Sequence, residues 1–111
     1  MTLQEQQALF ARDVGRLITY IYLCGYSCTF GEAYRTEEQA QWYADRGIGI
    51  KNSLHCKRLA IDLQLFLDSK YLNNSEDYHK FGCYWESLDG QNRWGGRFPR
   101  PDGNHFERKD V

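Results

Sequence analysis

At 111 residues, 41% of them hydrophobic and 15% aromatic, the chain has the length and the apolar material for one domain with a single core, and that aromatic content excludes a disordered polymer. A formal net charge of −1 excludes the global basic field that draws a protein onto nucleic acid. Basic residues gather near the C-terminus (Arg93, Arg97, Arg100, Arg108, Lys109), but Asp89, Asp102, Glu107 and Asp110 lie among them, so the stretch reads as mixed solvated surface.

The cysteines, Cys24, Cys28, Cys56 and Cys83, form no Cys-x-x-Cys pair. Four in a chain this long are too few for a disulfide-dense scaffold, and they read as ordinary thiols that behave as small hydrophobes. The first residues, Met1 to Gln7, are polar and show no basic segment followed by an apolar run, so no secretory signal is visible. The longest apolar run falls far short of a membrane span. The expectation is a protein made and kept soluble in a cytoplasm, or one that leaves by a route the sequence does not encode, with neither membrane nor nucleic acid as a partner.

Taken in order, Gln4 to Leu23 reads as a helix, with Leu9, Phe10, Val14, Leu17, Ile18, Ile21 and Tyr22 recurring at three- and four-residue steps. Gly25 is placed to stop it. Tyr26 to Glu32 alternates and is rich in aromatic and hydroxyl residues, which predicts a short strand. Thr36 with Gln39 predicts a capping box, and a second helix from Glu37 to Asp45. Gly47 to Ile50 reads as a turn. It lacks the glycine spacing and the following Lys-Ser/Thr of a phosphate loop.

Leu59 to Leu67 reads as a strand with Ile61, Leu63, Leu65 and Leu67 on one side and Ala60, Asp62, Gln64 and Phe66 on the other. The aliphatic side suits a helix layer, which leaves Asp62 on a face free to hold a site. Asn73 to Ser75 reads as a turn and cap, Glu76 to Leu88 as a third helix ended by Asp89-Gly90, and Trp94 to Gly103 as loop. Asn104 to Arg108 closes the chain as a short strand. No repeat or linker interrupts residues 1–111, so the expectation is one α+β domain with helices packed on one face of a small, mostly antiparallel sheet.

Two stretches carry the chemistry. His55 and Asp62 bracket the start of the central strand, and Asp102, His105 and Glu107 sit around the last one. Two imidazoles and one carboxylate make a three-ligand set that leaves zinc an open position for water. Asp102 is placed to handle a proton beside such a site, and Glu107, sharing a strand face with His105, is either a second partner of that imidazole or a rival for the proton. Isolated His/Asp spacings of this kind also arise by chance, and a lone His is more often structural.

The order of several motifs adds to this. Ser53-x-His55-x-x-Arg58-x-Ala60-x-Asp62 resembles the Ser-x-His-x-x-Gly-x-Ala-x-Asp signature of a peptidoglycan peptidase family. That family contains D-alanyl-D-alanine carboxypeptidases and dipeptidases and phage L-alanyl-D-glutamate endolysins, and hedgehog domains share its fold and zinc site. Tyr34-Arg35-Thr36 resembles the family's substrate-arginine segment, and Gly47-Ile-Gly49 the loop leading to the first ligand. Trp94-Gly95-Gly96 with Asp102-x-x-His105-Phe106-Glu107 resembles the ending of the phage branch. The resemblance runs from about Phe30 to Glu107.

The resemblance implies zinc held by His55, Asp62 and His105, with Asp102 as general base. It implies Arg35 at the substrate carbonyl or its oxyanion, Ser53 holding substrate near the metal, and Trp94 lining the cleft. The bland alternatives are a surface ion pair for Arg35, a loop cap for Ser53 and plain core for Trp94. Arg58 departs from the signature glycine, which would impair a site needing close backbone approach there. His79 has no motif around it and reads as structural or exposed, and Glu32, close to Arg35, has no assignable role. The partner implied is a bacterial peptidoglycan stem peptide, and the oligomeric expectation is a monomer. The implied setting is phage lysis: an endolysin held in the host cytoplasm before it reaches the cell wall, or a virion-borne enzyme. A D-alanyl-D-alanine carboxypeptidase, a non-catalytic wall-binding module of the same fold and a zinc-free structural protein are the alternatives.

Overall fold

The computed structural model describes residues 1–50 and 52–110; Lys51 and Val111 lie outside the described residues. The elements, in order, are α1 (Leu3–Leu23), β1 (Ser27–Phe30), α2 (Glu37–Asp45), β2 (Ala60–Leu67), β3 (Lys70–Tyr71), α3 (His79–Leu88), β4 (Asn92–Trp94) and β5 (His105–Arg108), with single 3-10 turns at Leu54–Lys57, Ser75–Tyr78 and Gly95–Arg97. The sheet runs β1-β2-β5-β4, with β3 paired to the far end of β2, and every pairing is antiparallel. This is the expected α+β architecture.

The aliphatic side of β2 forms the core. Ile61, Leu63 and Leu65 pack with Phe10, Val14, Leu17 and Ile21 of α1 and with Phe81 and Trp85 of α3. Each such side chain, once buried, contributes about 1.5–3 kcal/mol. Trp85 sits edge-on to Phe10 and Phe106, 5.6 and 6.0 Å between ring centres, and its indole N–H is shared between the carbonyls of Arg93 and Glu107 at 3.1 and 3.0 Å. One side chain thus fixes α3 to the β4–β5 pair. The helix α2 buries only Ala40 and stands outside the α1–α3 layer, beside the loop that carries His55. There the Arg35 N–H reaches the His55 carbonyl at 3.3 Å.

The predicted capping box at Thr36 is half made. The Thr36 hydroxyl accepts from the Gln39 N–H, but the Gln39 amide turns to the Tyr43 hydroxyl at 2.9 Å. The full reciprocal box lies at Thr2 and Glu5, starting α1. The predicted third helix begins as a 3-10 turn because Ser75 does not cap it. Its hydroxyl instead accepts the Gly103 N–H at 3.0 Å, and the buried Tyr78 hydroxyl bridges the Leu65 N–H and the Leu72 carbonyl. A strand of three residues that was not predicted, β4, precedes the expected loop and takes in its first residue, Trp94. The two-residue hairpin joining β2 to β3 holds Asp68 and Ser69 at φ 51° and 64° and lacks the usual Asn-Gly signal. All four cysteines are free thiols, as expected.

Arg58 follows the 3-10 turn that carries His55, at φ 56°, ψ 36°. The signature glycine is therefore explained by a left-handed backbone at that position, not by close approach. An L-residue there costs about 1–2 kcal/mol. The Arg58 guanidinium lies 4.0 Å over the Tyr34 ring, a contact worth about 0.5–1 kcal/mol at an exposed site. Arg58→Gly relieves strain but loses the stack and adds chain entropy, so its unfolding free energy should stay within about 1 kcal/mol of wild type. Arg58→Ala keeps the strain and loses the stack, and should fall by about 0.5–1 kcal/mol. Urea titration of the three proteins checks the order; an Ala variant more stable than the Gly variant would contradict the strain account.

Candidate metal centre

Strand register brings the two halves of the site together. Asp62 pairs directly with His105 across β2 and β5, and directly opposed residues of an antiparallel pair point to the same face. The 3-10 turn Leu54–Lys57, capped by the Ser53 hydroxyl on the His55 N–H at 3.1 Å, delivers His55 to that face. One ligand-type atom from each of His55, Asp62 and His105 lies within 4.8 Å of the others. His55 Nε2 stands 3.4 Å and His105 Nδ1 3.3 Å from the same oxygen, Asp62 Oδ1. The two imidazoles are 3% and 8% exposed, so water does little to screen what they face.

The other nitrogen of His105 settles its chemistry. Nε2 lies 2.7 Å from Glu107 Oε1, inside the protein. With the proton of a neutral imidazole on Nε2, the Nδ1 lone pair points at the Asp62 carboxylate and repels it unless a positive centre lies between them. In the metal-free protein a proton supplies that charge. Burial alone would lower His105, but its bonds to Asp62 and Glu107 raise it to about 9. Burial likewise would raise Asp62, yet the two histidines hold it at about 2. Two imidazole nitrogens and one carboxylate oxygen aimed at one point also suit zinc, which takes both donor types. His55 Nδ1, buried and without a hydrogen-bond partner among the described residues, is where the proton resides when Nε2 acts as ligand.

A cleft of about 730 Å³ opens on this centre, and Arg35, Ser53, Asp102 and Glu107 all line it. Desolvation in the cleft pushes the Asp102 carboxyl above the ordinary carboxylate range; the imidazolium charge of His105 opposes this and the Asp62 charge adds to it. Glu107 moves the other way. Burial would raise it, but His105 and Arg93 together keep it low. Arg35 forks onto Glu32, with Nε and Nη2 both 2.6 Å from Oε1, and lies 5.0 Å from the Tyr43 ring centre. Ser53 reaches the cleft but serves as the cap of the His55 turn.

Trp94 is not in the cleft. Its ring is buried in the core, its indole N–H donates to the Gly103 carbonyl at 2.7 Å, and a Cβ on either Gly82 or Gly96 would collide with it at 2.1 or 2.2 Å. The Trp94-Gly95-Gly96 motif is a packing device. His79 stands 5.6 Å from the Trp94 ring, is exposed and does not line the cleft of the metal centre, in keeping with the expectation of a structural or exposed residue. Gly95 carries the motif's link to the site. A Cβ there would lie 2.3 Å from the Asp102 carbonyl oxygen and 2.9 Å from His105 Cβ, and the Gly95 carbonyl accepts the Asp102 N–H. The sequence reading missed Phe98, 5.6 Å from the His105 ring, and Arg93, Arg100 and Lys109 on the cleft wall. Phe98 lies in an irregular loop where no periodicity could single it out.

The model of a family described as D-alanyl-D-alanine carboxypeptidase matches residues 46–108, more than half of the chain. No curated protein sequence matches. Among solved structures, the L-Ala D-Glu endopeptidase ChiX of Serratia marcescens superposes with a TM-score of 0.71 at 17% identity, over 96% of this chain and 85% of that one. The vancomycin-resistance D,D-pentapeptidase VanY of a VanB-type cassette, solved in complex with zinc, gives 0.62 at 15% identity, over 89% and 70%. These likenesses establish the fold.

Two predictions test the centre. A metal ion must displace the His105 proton, so between pH 7 and 9 apparent zinc affinity should rise about tenfold per pH unit and then level off, with one proton released per ion. Calorimetry in buffers of different ionisation heat reads both quantities. The same proton stabilises the metal-free fold: its contribution is complete below pH about 6.5 and lost as pH rises through about 9. Gly95→Ala must displace the turn carrying Asp102 and His105 and should cost about 10²-fold in turnover, with weaker zinc binding. Gly90→Ala, in open space, should leave both unchanged.

Proposed function

The chain belongs to the D-alanyl-D-alanine carboxypeptidase family of peptidases, and from that premise we propose that it is a zinc peptidase of the bacterial cell wall, an endolysin-type enzyme that cuts the L-Ala–D-Glu bond of the peptidoglycan stem peptide. The observation that carries the reading is the convergence of His55 Nε2, Asp62 Oδ1 and His105 Nδ1 at the floor of a cleft that also holds a carboxyl of raised pKa. The preference for L-Ala–D-Glu draws support from the fold shared with the Serratia endopeptidase and from the phage-type ending Asp102 to Glu107. The same ending supports a phage-lysis setting, with the enzyme held in the host cytoplasm until it reaches the wall.

Zinc, when bound by His55, Asp62 and His105, supplies a water of lowered pKa and a Lewis acid for the scissile carbonyl. Asp102, whose carboxyl lies above the ordinary range, takes the proton of the attacking water and passes it to the leaving amine. Arg35 offers a fixed cation to the oxygen on which charge develops. Glu107 holds His105 in the tautomer that keeps Nδ1 free for the metal.

A second reading, a carboxypeptidase that removes the terminal D-Ala, is favoured by the description of the matching family and by the likeness to VanY. Digestion of purified peptidoglycan followed by mass analysis separates the two: new N-terminal D-Glu marks the endopeptidase, free D-Ala the carboxypeptidase. Asp102→Asn should lower turnover by about 10²–10⁴-fold with fold and zinc content retained. His105→Ala should lose zinc and cleavage together. An Asp102→Asn protein as active as wild type would reject the mechanism, and wild type that takes up no zinc would reject the function.

A further inference from the structure

Glu32 has no place in the ligand set or in the mechanism above, yet three site residues meet on it. Its carboxylate oxygen Oε1 holds both Nε and Nη2 of Arg35 at 2.6 Å and stands 3.7 Å from His55 Nδ1. Its main-chain carbonyl accepts the Asp62 N–H at 2.9 Å, while the Gly31 N–H donates to the Asp62 carbonyl at 2.8 Å. The β1–β2 pairing therefore continues past the end of β1 and sets Glu32 beside the centre by register. Gly31 permits this, since a Cβ there would already press on Asp62 Cβ at 3.0 Å.

The second observation is His55 Nδ1, buried and, among the described residues, lacking a hydrogen-bond partner. If Nε2 is the ligand atom, the imidazole proton must sit on Nδ1, and a buried N–H without an acceptor is costly. Among the described residues, Glu32 is the carboxylate beside it. The separation of 3.7 Å exceeds a hydrogen bond by under 1 Å, which a small side-chain rotation closes.

We propose that Glu32 is a positioning residue shared by the two halves of the catalytic centre: its carboxylate accepts a hydrogen bond from His55 Nδ1–H when zinc is bound, and it aims the Arg35 guanidinium. The inference rests on the zinc peptidase reading. One carboxylate then fixes the distance between the metal and the cation that meets the substrate oxygen. An ordinary salt-bridge partner of Arg35 would do only the second of these.

Zinc affinity separates the roles without reference to turnover. In competition with a chromophoric chelator, Glu32→Ala should bind zinc about 10–100-fold more weakly than wild type. Glu32→Gln should recover most of that loss, because its amide oxygen can still accept from Nδ1. Arg35→Ala should bind zinc within about twofold of wild type, as it leaves Glu32 free for His55. At saturating zinc, Glu32→Ala should lower kcat with KM nearly unchanged, and melting curves of the metal-free proteins show whether each variant folds. Glu32→Ala and Glu32→Gln both binding zinc like wild type, beside a His105→Ala control that has lost it, would overturn the role of Glu32 while leaving the peptidase reading intact. Wild type that binds no zinc would overturn both.

Discussion

Two imidazole nitrogens and one carboxylate oxygen point into the same small volume, and in a nearly dry setting such an arrangement repels itself unless a positive centre lies within it. His55 Nε2 and His105 Nδ1 both address Asp62 Oδ1 at 3.3 to 3.4 Å. A proton meets the demand in the metal-free protein, and a divalent ion meets it better because it engages all three donors at once. The remainder of the domain can be understood as the framework that holds these donors together. Direct pairing of Asp62 with His105 makes β2 and β5 neighbours, and a slip of one residue would turn one ligand into the core.

The core behind the sheet opposes that slip. Ile61, Leu63 and Leu65 alternate with Asp62 and Gln64, so the burial that stabilises β2 also determines which residues face the cleft. On the other side of the site, the turn from Asp102 to His105 has little regular structure of its own. It rests on the Gly95 backbone, on Ser75 through the Gly103 N–H, and on the Trp94 indole through the Gly103 carbonyl. The glycines and the tryptophan near the C-terminus thus support the turn that carries Asp102 from beneath, without lining the cleft.

That division explains what could be read from the sequence. The candidate ligands were legible mainly through the ordered motifs that resemble the peptidase family, since spacing alone left them open, while strand alternation set Asp62 on the face away from the aliphatic core. Helices α1 and α2 were legible from apolar spacing and from Thr36. The strands β3 and β4 were not, since two- and three-residue strands are too short to show a period and exist only where a neighbour pairs with them. Ser75 looked like a cap because its competing partner, Gly103, lies 28 residues away. The motif left Trp94 between cleft lining and core; its place in the core depends on Gly82, a contact between α3 and β4 that no local pattern announces. The glycine expected at Arg58 marks a backbone conformation, which becomes apparent only when φ is known.

Glu107 and Asp102 show how environment separates two carboxylates that the sequence left as rivals. Both line one cleft, within three residues of the same histidine. Glu107 is buried against His105 and Arg93, and those cations overcome its desolvation and hold it ionised. It can orient an imidazole, but a carboxylate so tightly paired is a poor proton carrier. Among the described residues no ion pair holds Asp102; desolvation raises its carboxyl against the opposing charge of His105, nearer the pH at which a proton must be taken up and released. Two carboxyl groups whose surroundings push their pKa values apart are thereby assigned different work. On the proposed reading the orienting role falls to Glu107, which is paired to His105 and Arg93, and the proton-carrying role to Asp102, whose carboxyl desolvation raises.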